Sequence, residues 1–231
     1  INARQITSLF PPKGDDVLLC TYPLYHSLGL TMSLFLPLLE AVPIVYPKDP
    51  HASRSMGQAC VKHKVTILCS TPPVLDTYAQ NSKLHPLMFK SLRLVLCAGA
   101  HLPLACIHAF RQKFGLHIHE GYGTSETTPL ATINAPDMLN PRDYSIQQGR
   151  KLGTVGLPLP GSAVHIVSPQ TLENLPQGTW GRVLVGGSQV SSGYADPLVP
   201  VRTMERDQVL WHITDDTGRL DEDGFLELAT K

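Results

Sequence analysis

The sequence predicts an α/β protein in which a largely parallel sheet layer with helices is followed by a small all-β, barrel-like subdomain. Through residues 1–135, short apolar runs alternate with longer amphipathic segments, which is typical of buried parallel strands joined by helices. After about Asn134 the pattern changes to short β-type segments separated by turn residues. We therefore expect an α/β part at 1–135, a loop or linker at 136–152 and a β-rich part at 153–231.

The elements of the first part follow from hydrophobic periodicity and from residues that start or stop helices. Pro72 suits the first turn of a helix, and Gly115 suits the position after a helix ends. Strands are predicted at residues 17–21, 43–46, 66–70, 92–97 and 116–119. Helices are predicted at residues 28–40, 53–63, 72–80 and 103–114. In the second part, strands are predicted at residues 163–167, 181–185 and 225–228.

The composition argues against several classes of protein. Lys+Arg and Asp+Glu both number 19, so a net charge of zero gives no electrostatic reason to expect nucleic acid as a partner. The five cysteines form no CxxC pair and mostly lie in apolar runs, which predicts buried thiols in a reducing compartment. The most apolar stretch, residues 28–39, is shorter than the roughly 20 residues of a membrane span. Residues 1–10 lack the apolar core of a secretory signal. We expect a cytoplasmic protein.

One motif combines two glycines, an aromatic ring, a hydroxyl and a carboxylate directly after a predicted strand. It consists of Glu120, Gly121, Tyr122, Gly123, Thr124, Ser125 and Glu126. Glycines let the backbone approach a ligand closely, and the ring offers a stacking face. The hydroxyl and the carboxylate suit a phosphate oxygen and Mg²⁺. Alone, the motif is more typical of a turn that ends a strand, with Ser125 capping the next helix.

Other segments accompany this motif in a fixed order. His26 directly follows a predicted buried strand, and Gly99 and Ala100 end another. Downstream, Asp215 and Asp216 lie in the segment Trp-His-Ile-Thr-Asp-Asp-Thr-Gly-Arg. In this order and at this spacing, the segments resemble the ANL superfamily of adenylate-forming enzymes, which comprises acyl-CoA synthetases, nonribosomal adenylation domains and luciferases.

Within that superfamily the chain is similar to fatty-acid-activating members. These are the acyl-ACP synthetase part of bifunctional 2-acylglycerophosphoethanolamine acyltransferase/acyl-ACP synthetases and the long-chain acyl-CoA synthetases. The narrower resemblance rests on residues 114–116, 120–126, 132–136 and 153–161. It implies an enzyme that joins a fatty acid to ATP, releases pyrophosphate, and passes the acyl group to a thiol of acyl carrier protein (ACP) or CoA. It also implies a role in phospholipid remodelling and peripheral association with the inner face of the membrane.

The resemblance implies that five residues surround the adenine base. Tyr122 would stack on the base and Gly121 would supply backbone contacts beside it, with Gly123 completing the close approach. Gly99 and Ala100 would line the opposite side of the base. The alternatives are that Tyr122 is an ordinary core aromatic and that the small residues merely permit tight packing.

Four further residues would hold the phosphate, metal, sugar and acid. The resemblance implies that Ser125 donates a hydrogen bond to the AMP phosphate and that Glu126 helps to hold Mg²⁺. Asp216 would accept hydrogen bonds from the ribose hydroxyls, which suits an acceptor-only carboxylate. His26 would lie near the acyl carboxylate, where a donor offsets developing charge. The alternatives are that Asp216 is a turn residue and that His26 caps the next helix.

The sequence departs from the superfamily pattern at three positions. Ser125 replaces the usual threonine and keeps the hydroxyl. Asp215 stands where glycine is usual, and since aspartate tolerates positive φ better than most residues, we expect the loop to form. His101 stands where an acidic residue is frequent. His117 and His119 share one face of a strand and could bind a metal, although no third ligand is evident.

Two other functions stay open: an adenylation domain for an amino or aryl acid, and a degenerate, non-catalytic nucleotide-binding module. The superfamily's phosphate loop, rich in Ser, Thr and Gly, and its small C-terminal domain with a catalytic lysine have no counterpart in these residues. We therefore expect that the 231 residues alone do not form acyl-adenylate.

Overall fold

The computed structural model describes residues 1–196, 198–200 and 202–229. Its contacts divide the chain into two compact units. One is Phe10–Glu120, and the other is Ile1–Leu9 together with Gly121–Lys231. A largely parallel sheet with helices and a separate antiparallel sheet are both present, so the predicted fold class is confirmed. The domain division at residues 135 and 153 stays a prediction.

Six α-helices and fourteen strands are found among the described residues. The helices are α1 (Asn2–Leu9), α2 (Ser27–Leu30), α3 (Leu36–Glu40), α4 (Ser53–His63), α5 (Pro72–Gln80) and α6 (Leu104–Phe114). The strands are β1 (Leu18–Cys20), β2 (Ile44–Val45), β3 (Ile67–Ser70), β4 (Leu94–Cys97), β5 (Ile118–Tyr122), β6 (Thr132–Ile133), β7 (Met138–Leu139), β8 (Ile146–Gln147), β9 (Leu157–Pro158), β10 (Ser162–Val167), β11 (Gly181–Gly187), β12 (Thr203–Arg206), β13 (Val209–Leu220) and β14 (Leu226–Leu228). A π-helical turn (Thr31–Phe35) joins α2 to α3, and 3₁₀ turns occupy Pro86–Phe89 and Ser125–Thr127.

The unit Phe10–Glu120 is built on parallel strands in the order β2-β1-β3-β4-β5. Every residue of β1, β3 and β4 is buried, as the continuous apolar runs predict for strands covered on both faces. Met56 of α4, Tyr78 of α5 and Phe110 of α6 pack into the same core as Leu68 of β3. Burial of each such side chain contributes roughly 1.5–3 kcal/mol.

Specific residues close the C-terminal ends of α4, α5 and α6. Lys64 adopts a left-handed conformation with φ 50° after α4, and Gly115 does so with φ 71° after α6. The ammonium group of Lys113 donates hydrogen bonds at 2.8, 3.1 and 2.6 Å to the carbonyls of Tyr78, Ala79 and Asn81 at the end of α5. These carbonyls have no partner within a helix, so the lysine completes the cap.

A buried carboxylate anchors the start of β1. Asp16 is 2 % exposed and accepts hydrogen bonds from Arg93 and from the hydroxyl of Thr66 at 2.7 Å. Burial alone would raise the pKa of Asp16, but these bonds and the backbone N–H of Lys13 outweigh it and lower the pKa to about 2. The carboxylate therefore stays ionised and paired at neutral pH.

The second unit contains an antiparallel sheet in the order β10-β11-β13-β12, and β14 also pairs with β13. No pairing among the described residues links β10 back to β12 or β14, so this antiparallel sheet is open and does not close into the expected barrel. In the same unit, Gly121 and Tyr122 at the end of β5 pair with β6, and β6 pairs with β9. These pairings hold the central motif in regular backbone rather than in a free loop.

The segment 136–152, which the sequence predicts as a loop or linker, contains a short hairpin. Strands β7 and β8 form a two-stranded antiparallel ladder within it. Asn140 and Asp143 accept backbone hydrogen bonds at 3.0 Å from residues two positions later, which closes the turn between the strands. Two-residue strands are too short to produce a detectable alternation of apolar and polar residues, so no local pattern marks this hairpin.

All five cysteines are free and buried, as predicted from their apolar neighbours. Within the described ranges, no helix combines the length and the apolar character that crossing a membrane requires.

Candidate functional site

Tyr122 and Asp216 meet in the β-rich unit, one at the end of β5 and the other in β13. The Tyr122 hydroxyl donates a hydrogen bond of 2.8 Å to Oδ2 of Asp216. Burial, together with the negative charge of Asp216, raises the pKa of the Tyr122 hydroxyl well above its usual value, so the hydroxyl stays a donor. The proximity that the sequence predicts for these residues is therefore present.

The Tyr122 ring is 8 % exposed and belongs to a core cluster that includes Ala131, Val164 and Val185. The ring thus serves the core, which was the alternative considered for it, and its hydroxyl end is directed to the Asp216 carboxylate. A role in stacking on a base is not tested by this arrangement.

A β-bulge determines where Asp216 lies. Leu184 pairs with Ile213 and Arg182 pairs with Thr217, so one residue of β11 faces three of β13. Asp215 and Asp216 are in this bulge, which bends a strand and redirects its side chains. Asp215 is not among the described residues with positive φ, so position 215 does not require glycine here. The expected loop is replaced by a bulged strand, because a bulge accommodates the extra residues in extended backbone.

Glu126 lies in the 3₁₀ turn after β5 and contacts β13 and the segment that follows β11. Tyr194 donates a hydrogen bond to Oε1 of Glu126, and Nε2 of His212 lies 3.8 Å from Oε2. Burial alone would raise the pKa of Glu126, but the bond from Tyr194, other hydrogen bonds and the nearby His212 outweigh it and lower the pKa. Burial lowers the pKa of His212, and the Glu126 carboxylate offsets this only in part. At neutral pH the site therefore holds an anionic carboxylate beside an uncharged imidazole.

The other residues of the motif differ in exposure and in steric role. Ser125 is exposed at the start of the 3₁₀ turn. A Cβ at Gly123 would lie 2.0 Å from the carbonyl oxygen of Pro129, and one at Gly121 would lie 2.9 Å from that of Thr132. Both glycines are thus required by the protein's own backbone, whereas the sequence had suggested the approach of a ligand as the reason for them.

His26, Gly99 and Ala100 belong to the other unit and are described within it. Nδ1 of His26 accepts a hydrogen bond of 3.1 Å from the backbone N–H of Leu28, so this exposed histidine caps α2. Gly99 has φ 88°, and both it and Ala100 are exposed after β4. The capping role was the alternative considered for His26, and a role at an acyl carboxylate is not tested.

Tyr22 contacts His26 and the end of β4 in the same unit. Its hydroxyl donates to the carbonyl of Ser70 at 2.6 Å and accepts from the N–H of Ala98 at 2.9 Å. Its ring stacks on that of His26 with centroids 6.2 Å apart. Tyr22 was not predicted from the sequence, although its place directly after a buried strand was a usable signal.

The sequence singled out Glu120 only as part of the motif, whereas the structure shows that it is a buried carboxyl group. It is 8 % exposed, and the N–H of Leu102 donates to its Oε1 at 3.4 Å. Burial raises the pKa of Glu120 to about 7. The contacts of Tyr194 and His212 with Glu126 were also missed, because no local pattern marks residues that meet through tertiary structure.

The described residues contain no cluster of three or more His, Cys, Asp or Glu side chains that could hold a metal ion. His117 and His119, considered as a metal-binding pair, are therefore not part of such a cluster. His119 packs edge-on against the ring of Phe10, with centroids 5.5 Å apart. A cation at Glu126 would have to bring most of its ligands with it, as Mg²⁺ does when it is bound by phosphates.

The sequence of this chain is similar to those of known ligases. A family model described as "AMP-binding enzyme" matches residues 1–195. The chain is 30% identical over 220 residues to 4-coumarate–CoA ligase 2 of Solanum tuberosum, covering 94% of this chain and 39% of that protein. It is 28% identical over 235 residues to a long-chain-fatty-acid–CoA ligase of Salmonella typhimurium, covering 100% and 39%.

The fold is similar to that of a solved structure. The crystal structure of ATP-bound MatB from Rhodopseudomonas palustris matches with a TM-score of 0.79 and 26% identity, over 98% of this chain and 42% of that one. The chain thus spans 39% of the length of these curated relatives.

Proposed function

The chain belongs to the AMP-binding enzyme family, and from this premise we propose that the protein is an adenylate-forming acid–thiol ligase. A carboxylate oxygen of the acid attacks the α-phosphorus of ATP, and the bond to pyrophosphate breaks. A thiolate then attacks the acyl carbonyl and AMP leaves. We propose a fatty acid as the acid and CoA as the thiol, with ACP in phospholipid remodelling as the alternative acceptor that rests on the sequence resemblance.

The hydrogen bond between Tyr122 and Asp216 is the observation that carries this proposal. It joins an aromatic residue to an ionisable carboxylate from a segment 94 residues away. A carboxylate is an acceptor suited to a ribose diol, and a tyrosine offers a flat ring and a polar tip. With Tyr122 as donor, Asp216 is held beside the tyrosine, which supports the proposed role of its carboxylate as the acceptor for a ribose diol.

The donor set around Glu126 is compatible with ATP and Mg²⁺. The lowered pKa keeps the carboxylate ionised at neutral pH, and its side chain is 20% exposed. Mg²⁺ is commonly bound by one or two carboxylates together with substrate phosphates. When bound, the ion offsets the negative charge that accumulates on the phosphates. Glu126 would hold it, and the exposed hydroxyl of Ser125 would donate to a phosphate oxygen.

The acid is the point on which relatives differ. The fatty acid is supported by similarity to long-chain-fatty-acid–CoA ligases over the whole chain. A second candidate, an aryl acid, is favoured by 30% identity to a 4-coumarate–CoA ligase. The roles of Gly99 and Ala100 at the base and of His26 at the acyl carboxylate are proposals that rest on the resemblance.

Nucleotide binding by the 231-residue chain tests the proposed site. We expect chemical-shift changes on titration with millimolar AMP, and affinity about 10-fold weaker for Asp216→Ala, since a hydrogen bond to a charged group contributes roughly 1.5–3 kcal/mol. Asp215→Ala is the matched control, because Asp215 is exposed and paired with Arg202. Equal losses in the two variants, or no shift change in the folded wild type, would refute the site.

Pyrophosphate exchange with a panel of fatty and aryl acids, measured on the full-length protein, tests the reaction. Exchange that depends on a long-chain acid supports the first candidate, and exchange with 4-coumarate supports the second. Nucleotide binding without exchange for any acid would instead identify a non-catalytic nucleotide-binding module.

A further inference from the structure

The carboxylate of Glu126 is held between a side chain of β13 and one from the segment that follows β11. Its Oε1 accepts a hydrogen bond from the hydroxyl of Tyr194. Its Oε2 faces Nε2 of His212 at 3.8 Å, which is too long for a hydrogen bond. His212 is 7 % exposed and so presents a fixed surface on that side. Oε1 is therefore bonded to Tyr194, and Oε2 faces a buried imidazole.

The position of Tyr194 is fixed by the backbone that precedes it. The segment 189–194 follows β11 and runs along the 3₁₀ turn that contains Glu126. The N–H of Ser191 donates to the backbone carbonyl of Glu126 at 2.8 Å, and the hydroxyl of Thr128 donates to the carbonyl of Gln189 at 2.7 Å. The phenol thus approaches Glu126 from a segment that is already bound to the same turn.

Glu126 and Tyr122 both contact side chains of strand β13. Asp216 of β13 contacts Tyr122. His212, which lies four positions before Asp216, contacts Glu126, which lies four positions after Tyr122. The order of the two pairs is reversed, so the segment 122–126 runs antiparallel to 212–216. Asp216, the candidate for binding the sugar, and His212, which lies beside Glu126, are therefore both positioned by β13.

We infer that Tyr194 is a positioning residue that orients the Glu126 carboxylate, with His212 limiting the rotation of that carboxylate. The inference rests on the proposed function in assigning Glu126 to a nucleotide-bound cation. Mg²⁺ requires near-ideal octahedral geometry, and a glutamate that must be ordered on binding loses side-chain entropy. A carboxylate oriented in advance binds the ion more tightly, as residues that hold metal ligands do in general.

The affinity of the 231-residue chain for ATP, measured by calorimetry with and without Mg²⁺, tests this role. We expect Tyr194→Phe to reduce the gain in affinity that Mg²⁺ confers by about 10-fold, and to leave the metal-free affinity within about twofold of wild type. Tyr144→Phe is the matched control, because Tyr144 is 77% exposed in the same unit. Equal losses with and without Mg²⁺, or no loss of the Mg²⁺-dependent gain, would overturn the positioning role.

A double-mutant cycle in urea denaturation separates this inference from the proposed function, because it needs no nucleotide. Tyr194→Phe and Glu126→Gln should be non-additive, with a coupling of about threefold or more in the unfolding equilibrium constant. Additive effects would show that Tyr194 does not restrain Glu126. If the wild type bound no ATP and the cycle showed coupling, the proposed function would fail while the Tyr194–Glu126 restraint would hold.

Discussion

Tyr122 and Asp216 are 94 residues apart in the chain, and the hydroxyl of the tyrosine donates a hydrogen bond of 2.8 Å to a carboxylate oxygen of the aspartate. The bond links the end of β5 to the bulge in β13. It therefore unites two segments that the family resemblance assigns to one nucleotide site.

Tyr122→Phe should destabilise the chain by about 1–2 kcal/mol, because it leaves the Asp216 carboxylate without this donor while the ring still fills the core. Urea denaturation measures the change, and Tyr144→Phe controls for loss of an exposed hydroxyl. A Tyr122→Phe variant as stable as the wild type would show that the bond contributes nothing in solution.

Glu120→Gln should stabilise the chain at pH 8 and have little effect at pH 5. Burial raises the pKa of Glu120 from 4.5 to about 7. The folded state thus keeps a proton that the unfolded state loses, and stability falls as pH rises from about 4.5 to 7. The shift corresponds to about 3 kcal/mol, and glutamine removes it.

Urea denaturation at both pH values measures the Glu120 effect. Glu205 is exposed, so Glu205→Gln is the control and should shift stability equally at the two pH values. A Glu120→Gln variant whose advantage is the same at pH 5 and pH 8 would contradict a raised pKa.

Gly123→Ala should destabilise the chain by about 3 kcal/mol or more, because the new Cβ would lie 2.0 Å from the carbonyl oxygen of Pro129 and the backbone would have to move. At Gly14, no described atom beyond the two adjacent residues lies within 4 Å of the position that an added Cβ would take, so Gly14→Ala should change stability by less than about 1 kcal/mol. Thermal or urea unfolding measures the stability of both variants. Similar effects would mean that the turn at Gly123 shifts at little cost in free energy.

His26 can be tested for a role beyond capping. His26→Ala removes the acceptor for the Leu28 N–H and should cost roughly 0.5–2 kcal/mol, whereas His26→Asn retains a good N-cap and should cost little. If His26 also serves the acyl carboxylate, both variants should slow pyrophosphate exchange. If only His26→Ala slows exchange, the histidine acts as a cap alone.

Local sequence determined much of the fold. The helices predicted at 53–63 and 72–80 are α4 and α5, because Pro72 fixes one start and hydrophobic periodicity defines both. The buried strand β3 was predicted at 66–70 from its apolar residues, since strands covered on both faces are rich in apolar side chains. The hairpin of β7 and β8 was not, because two-residue strands carry no periodicity.

For the site, the sequence by itself determined which residue types stand in the motif after β5, and the resemblance supplied the expectation that Tyr122 and Asp216 converge. Only the tertiary structure decided how the convergence occurs. The bulge between β11 and β13 directs Asp216, and the segment 189–194 brings Tyr194 to Glu126. Such contacts depend on strand register and on the path of a long connection, and neither is encoded in the residues nearby.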